Sequence, residues 1–161
     1  STLAAAKTIT IQVGPSLSYS PESTTAAVGD TIDFVFKGRT HDVVQGAFDR
    51  PCQAVNQGGF YSGFFQDASS SAPKTFRVTV NSTDPIWYYC SATQHCQGGM
   101  VGVINPPASG NTIAAYKSAA EKSSGSGTPA AVFGGTVVNG SGGGSSASPS
   151  GTSGSPAPSG T

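Results

Sequence analysis

Apolar and polar positions alternate in short runs along the first two thirds of the chain. Over residues 7–13, Ile9, Ile11 and Val13 alternate with Thr8, Thr10 and Gln12, the two-residue period of a strand with one face buried. Thr31–Phe36 places Ile32, Phe34 and Phe36 on one face, and residues 75–80 do the same with Phe76, Val78 and Val80. Further short strands are expected at 24–28, 41–44, 85–90 and 100–104, separated by Gly-Asp, Asp-Pro, Gly-Gly and Pro-Pro punctuation. Some seven to eight short strands at this spacing predict an all-β fold, an antiparallel β-sandwich.

One segment has a different period. After Pro106-Pro107 stops the last strand, Asn111 or Thr112 can cap a helix whose Ile113, Tyr116, Ala119 and Ala120 share a face, and this helix is expected to pack on the sandwich. Beyond Lys122 the periodicity fades. Eleven of the 22 glycines lie in the last 39 residues, among Ser, Thr, Ala and Pro. Such a segment cannot bury enough apolar surface to offset its ordering entropy. The expected division is therefore a folded domain at 1–122 and a disordered low-complexity tail at 123–161. Within the tail, residues 130–138 form a small apolar island that could dock on the domain, although Gly134-Gly135 weakens any strand there.

Charge and termini narrow the setting. Eight basic and eight acidic residues all lie at or before Lys122, which excludes the basic excess that nucleic acid or an anionic membrane would favour. No apolar run approaches the length of a membrane span. Asn81-Ser82-Thr83 and Asn139-Gly140-Ser141 fit the N-glycosylation pattern, and a Ser/Thr/Pro/Gly tail suits O-linked sugars. With Ser1 in place of an initiator Met, these features predict a secreted, monomeric glycoprotein cleaved from a signal peptide. The tail also resembles the polar spacer before a lipid anchor, without the apolar segment such a signal needs.

The densest chemistry lies in residues 87–100, WYYCSATQHCQGGM, which hold two of three cysteines, one of two histidines and the only methionine. Thiolate, imidazole and thioether suit copper better than calcium, magnesium or zinc. The remaining histidine, His41, lies in an earlier strand that a sandwich can bring beside Cys90. His41, Cys90 and His95 with Met100 as a distant fourth donor make the set of a blue-copper electron-transfer site. Alone, His41 in a strand reads as an ordinary hydrogen-bonded residue and Met100 as core filling; their joint positions favour ligation. Structural zinc is the chemical competitor, but it has no use for a thioether. A histidine-brace copper enzyme needs an N-terminal histidine, where the sequence has Ser1. Three cysteines leave one unpaired. Cys96, facing away from its neighbour His95, is expected to pair with Cys52, leaving Cys90 for the metal.

The spacing Cys90-x4-His95-x4-Met100, with His41 upstream and a cysteine directly after the second histidine, resembles the cupredoxins and their phytocyanin branch. The fungal extracellular serine-rich, plastocyanin-like proteins are the nearer resemblance, through His41-Asp42-Val43-Val44-Gln45, Phe48-Asp49-Arg50-Pro51-Cys52, Gly63-Phe64, Pro85-Ile86-Trp87-Tyr88-Tyr89-Cys90 and Gly99-Met100-Val101-Gly102-Val103-Ile104-Asn105-Pro106. It runs from about Ile9 to Lys122. It implies a Greek-key sandwich with one type 1 copper, equatorial His41, Cys90 and His95, axial Met100, and no substrate turnover. Asp42 departs from the Asn common after the first histidine in plastocyanins, and its charge is expected to shift the reduction potential or open the site to solvent. The partner would be a redox protein or small reductant, reached through the His95 edge, with residues 58–65 (GGFYSGFF) as an apolar rim or as core. The competing role is a cell-wall, adhesion or copper-sequestering module.

Overall fold

The computed structural model describes residues 5–38, 40–65 and 73–139. Ten strands and one helix follow in chain order: β1 (Thr8–Val13), β2 (Tyr19–Ser20), β3 (Ser23–Thr24), β4 (Thr31–Phe36), β5 (Val44–Ala47), β6 (Arg50–Ala54), β7 (Lys74–Thr79), β8 (Ile86–Tyr89), β9 (Val101–Ile104), α1 (Ile113–Glu121) and β10 (Thr136–Asn139). One sheet has the order β10-β7-β4-β1-β2 and the other β3-β9-β8-β5-β6. The two pack into a sandwich whose core follows from the alternation. Ile11 and Val13 of β1, Ile32, Phe34 and Phe36 of β4, and Phe76 and Val78 of β7 meet Tyr88 and Ile104 of the opposite sheet.

A second apolar cluster lies on the outer face of the second sheet. Trp87 and Tyr89 of β8, Val101 and Val103 of β9 and Val44 of β5 point there, and α1 covers them with Tyr116 and Ala120. Thr112 is the cap, its hydroxyl accepting from the Ala115 amide at 3.0 Å. The phenol of Tyr116 sits between Phe48 and Trp87, with ring centroids 5.8 and 4.8 Å away. The β8 sequence IWYY is thus buried on both faces, Trp87 and Tyr89 towards the helix and Tyr88 towards the inner core. Period two then carries Cys90 to the inner side.

Three expectations differ from the structure. The sandwich is not wholly antiparallel, because β1 lies parallel to β4 and β3 parallel to β9. The chain leaves the first sheet after β2, adds β3 to the second, and returns as β4, so β4 runs in the direction of β1. The strand expected over 24–28 is only β3. The amides of Ala26 and Ala27 bond the side chains of Asn105 and Asp30 in place of a ladder. The strand expected from His41 begins instead at Val44, and His41 makes an isolated bridge to Phe65.

The largest correction lies beyond Lys122. Residues 123–139 were assigned to the disordered tail, with 130–138 as an island that could dock; they run back over the domain, and β10 pairs antiparallel with β7, Thr136 opposite Arg77 and Val138 opposite Thr75. The β-branched run Thr136-Val137-Val138 is enough to add an edge strand. Gly135 helps rather than hinders, since a Cβ there would come within 2.6 Å of the Phe76 ring and the Arg77 carbonyl. The tail from residue 140 lies outside the described residues.

Candidate metal centre

The donor atoms of His41, Cys90 and His95 all lie within 4.8 Å of one another. Each is delivered by a different device. Cys90 follows β8 on the inner face, its amide donating to the Met100 carbonyl at 3.1 Å. His95 rides on a tight loop in which its amide bonds Ala92, and the Met100 amide returns to the His95 carbonyl at 3.0 Å. Gln94 and Gly99 take positive φ, 68° and 101°, to close it. Cys96 turns to the helix side and is bonded to Cys52 of β6, with Cα atoms 5.9 Å apart. Cys90 remains a free thiol, fully buried. Met100 is also fully buried and shares the inner core with Cys90.

The ring of His41 is oriented by its surroundings. Its Nε2 lies 3.3 Å from the Pro15 carbonyl, which accepts an Nε2 proton and leaves Nδ1 with a lone pair. That buried Nδ1 has no hydrogen-bond partner among the described residues. The Nδ1 of His95 lies 3.4 Å from the Cys90 sulfur, and the two imidazole centroids are 5.1 Å apart. Burial lowers the pKa of both histidines, and for His95 the neighbouring His41 adds to it. Both shifts favour the neutral ring, the form that donates to a metal.

Cys90 is pushed the other way. Burial first, and then the nearby Asp42 charge, raise its thiol far above the ordinary range. No cation among the described residues offsets this, so a thiolate here needs a bound positive ion. An orphaned buried imidazole nitrogen, a second imidazole and a thiol lacking a counter-charge fit a soft transition metal such as copper.

Asp42 does not open the site to solvent: it is fully buried, as is His41 at 2% exposure. Its carboxylate accepts from both the amide and the hydroxyl of Ser91, the residue after Cys90. The Asp42 amide in turn points to the Cys90 sulfur at 3.5 Å. Burial raises the Asp42 pKa while the Ser91 bonds oppose it. The Tyr61 hydroxyl interacts with the same carboxylate. The sequence pointed to Asp42 but not to Ser91, Tyr61 or the Pro15 carbonyl, whose residue types carry no distinguishing chemistry. Of the aromatic residues in 58–65, Phe60 and Tyr61 are buried, Phe65 packs on Phe36 at 4.1 Å, and only Phe64 is exposed. Leu17, also exposed, lies against Gly98 of the His95 loop and was not anticipated.

The family profile described as "Plastocyanin-like domain" matches residues 9–100. "Probable GPI-anchored cupredoxin-1" of Arthroderma benhamiae is 42% identical over 142 residues, covering 79% of this chain and 73% of that protein. "Extracellular serine-rich protein" of the same organism is 39% identical over 136 residues, and this chain spans only 53% of its length. Among solved structures, auracyanin from Roseiflexus castenholzii is similar at a TM-score of 0.47 and 22% identity, over 63% of this chain and 97% of that one.

Proposed function

Given that the chain belongs to the cupredoxin family through its plastocyanin-like domain, we propose that it is a type 1 copper protein carrying single electrons at the cell surface or outside the cell. The observation that carries this reading is the convergence of His41, Cys90 and His95 donor atoms within 4.8 Å. His41 and His95 would hold the metal through nitrogens whose neutral form burial favours, Cys90 through its thiolate, and Met100 would be the weak fourth donor. Copper bound there would supply a one-electron couple between its cuprous and cupric states.

The chain's own residues supply rigidity and access. The Pro15 carbonyl fixes the tautomer of His41, Asp42 ties the residues following His41 and Cys90 together, and the Cys52–Cys96 bond holds the loop that carries His95. His95 is only partly buried, so its ring edge is the electron's route to a partner. Exposed Leu17, from the connection between β1 and β2, lies against Gly98 of that loop and gives the edge an apolar neighbour. The names of the two Arthroderma relatives support a surface or extracellular setting. Asn81 is exposed and available for a sugar.

The test is the visible and EPR spectrum after one equivalent of Cu(II), compared with a Cys90→Ser variant. An intense thiolate-to-copper absorption, absent from the variant and bleached reversibly by ascorbate, is expected. A protein with only weak tetragonal copper absorption would overturn the electron-transfer reading and favour copper sequestration or a wall role.

A further inference from the structure

The segment after α1 touches the metal centre's supports at several points and lies beyond the part of the chain matched by the family profile, residues 9–100. Its path is fixed by polar contacts. The Gly127 amide donates to the Cys52 carbonyl at 2.8 Å, and the Gly127 carbonyl accepts from the Tyr89 hydroxyl at 2.6 Å. Ser126 donates to Gln97 in the His95 loop at 3.4 Å. Thr128 donates its hydroxyl proton to the Ser91 hydroxyl oxygen at 2.8 Å. Five residues on, Phe133 exchanges backbone hydrogen bonds with Tyr61 at 2.9 and 3.2 Å. β10 then fastens the end to β7.

Ser91 and Tyr61 both meet the Asp42 carboxylate with their side chains, beside the Cys90 thiol. The segment therefore holds both sides of the link between the His41 and Cys90 positions. We propose that residues 123–139 are a strap that sets the relative placement of His41 and Cys90, with Thr128 as its positioning residue acting through Ser91 and Asp42.

The physical argument is one of proton direction. Ser91 has one hydroxyl proton, which goes to Asp42; its oxygen then needs a donor, and Thr128 is that donor. With the Thr128 hydroxyl removed, the Ser91 oxygen is left without its donor, and the Ser91 bond to Asp42 loses the cooperative strengthening that the chain Thr128–Ser91–Asp42 provides. This inference rests on the copper reading only for its consequence; the strap itself is tested on the metal-free chain.

The experiment compares wild type with Thr128→Val, which keeps the shape and removes the hydroxyl, and Thr128→Ser, which restores it. Amide hydrogen exchange is followed on the metal-free full chain at Ser91, whose N–H bonds Asp42. Thr128→Val is expected to speed that exchange about threefold, the effect of losing one partly exposed hydrogen bond. Thr128→Ser is expected to return it to the wild-type rate, and amides of β4 and β7 are expected to stay unchanged in both. In the copper-loaded protein the thiolate-to-copper band of Thr128→Val should shift while that of Thr128→Ser does not. An unchanged Ser91 rate in Thr128→Val, or a rise shared equally by β4 and β7, would overturn the strap's positioning role. A wild-type protein that takes up copper without colour, while the Ser91 effect persists, would overturn the proposed function and leave the strap standing.

Discussion

Gly14 sits where backbone and metal centre meet. It has φ of +78°, and a Cβ there would lie 2.6 Å from the Lys37 carbonyl and 2.7 Å from the His41 ring. Gly14→Ala is expected to lose about 1–2 kcal/mol from the left-handed backbone alone. The clash then pushes His41 off the Pro15 carbonyl. Denaturant midpoints and the intensity of the copper band check the two effects separately. Asp30 carries a pH prediction. Bonds from the Ala27 and Lys7 amides and the Lys7 ammonium at 3.5 Å hold its carboxyl below the ordinary value. A carboxylate with a lowered folded pKa stabilises fully above the unfolded value, and that contribution is lost as pH falls through the folded one. Asp30→Asn should therefore be less stable than wild type at neutral pH, with the gap closing as pH drops below about 4. At this scale the sequence was legible where a residue type is chemically rare. Two histidines, a lone methionine and an odd cysteine announce themselves, whereas Ser91 and Thr128 are indistinguishable from the many other hydroxyls of the chain.

The buried face of the helix is held by shape, its polar tie to the sandwich being the half-exposed ion pair of Lys117 with Glu22 at 2.6 Å. The hydroxyl of Tyr116 is buried without a hydrogen-bond partner among the described residues, although its ring packs against Phe48 and Trp87. Tyr116→Phe is expected to leave stability within about 0.5 kcal/mol of wild type or raise it, while Tyr116→Ala should cost about 3–5 kcal/mol by emptying the pocket. Thermal or denaturant unfolding distinguishes them. The long strands β1, β4 and β7 were legible because each alternates over six residues. β2, β6 and β10 were not. Two are only two or four residues long, and β6 contains Pro51, tolerated because β6 is an edge of its sheet. Pairing with a neighbour, not intrinsic pattern, decides such strands, and no local window contains the neighbour.

For the molecule as a whole, the sandwich and the convergence of His41, Cys90 and His95 follow from pattern and chemistry, while the boundary of the folded part does not. Ser- and Gly-rich composition described residues 123–139 as tail, and only the edge of β7, distant in sequence, recruits them into a sheet. The cross-link between β6 and the His95 loop is the other long-range constraint. Replacing both Cys52 and Cys96 by Ala is expected to lower unfolding free energy by about 2–5 kcal/mol, read from denaturant titration. The same cross-link implies an order of assembly. Before it closes, the chain offers copper three thiols, two of them within a few residues of His95, and a soft ion can be captured by the wrong pair. Cuprous ions would also meet thiols that still have to be oxidised. Once Cys52 and Cys96 are joined, a single thiol remains, that of Cys90 inside the sandwich. Under the proposed function, maturation in an oxidising compartment would act as a proofreading step for metal insertion, with the oxidant arriving first and the copper second.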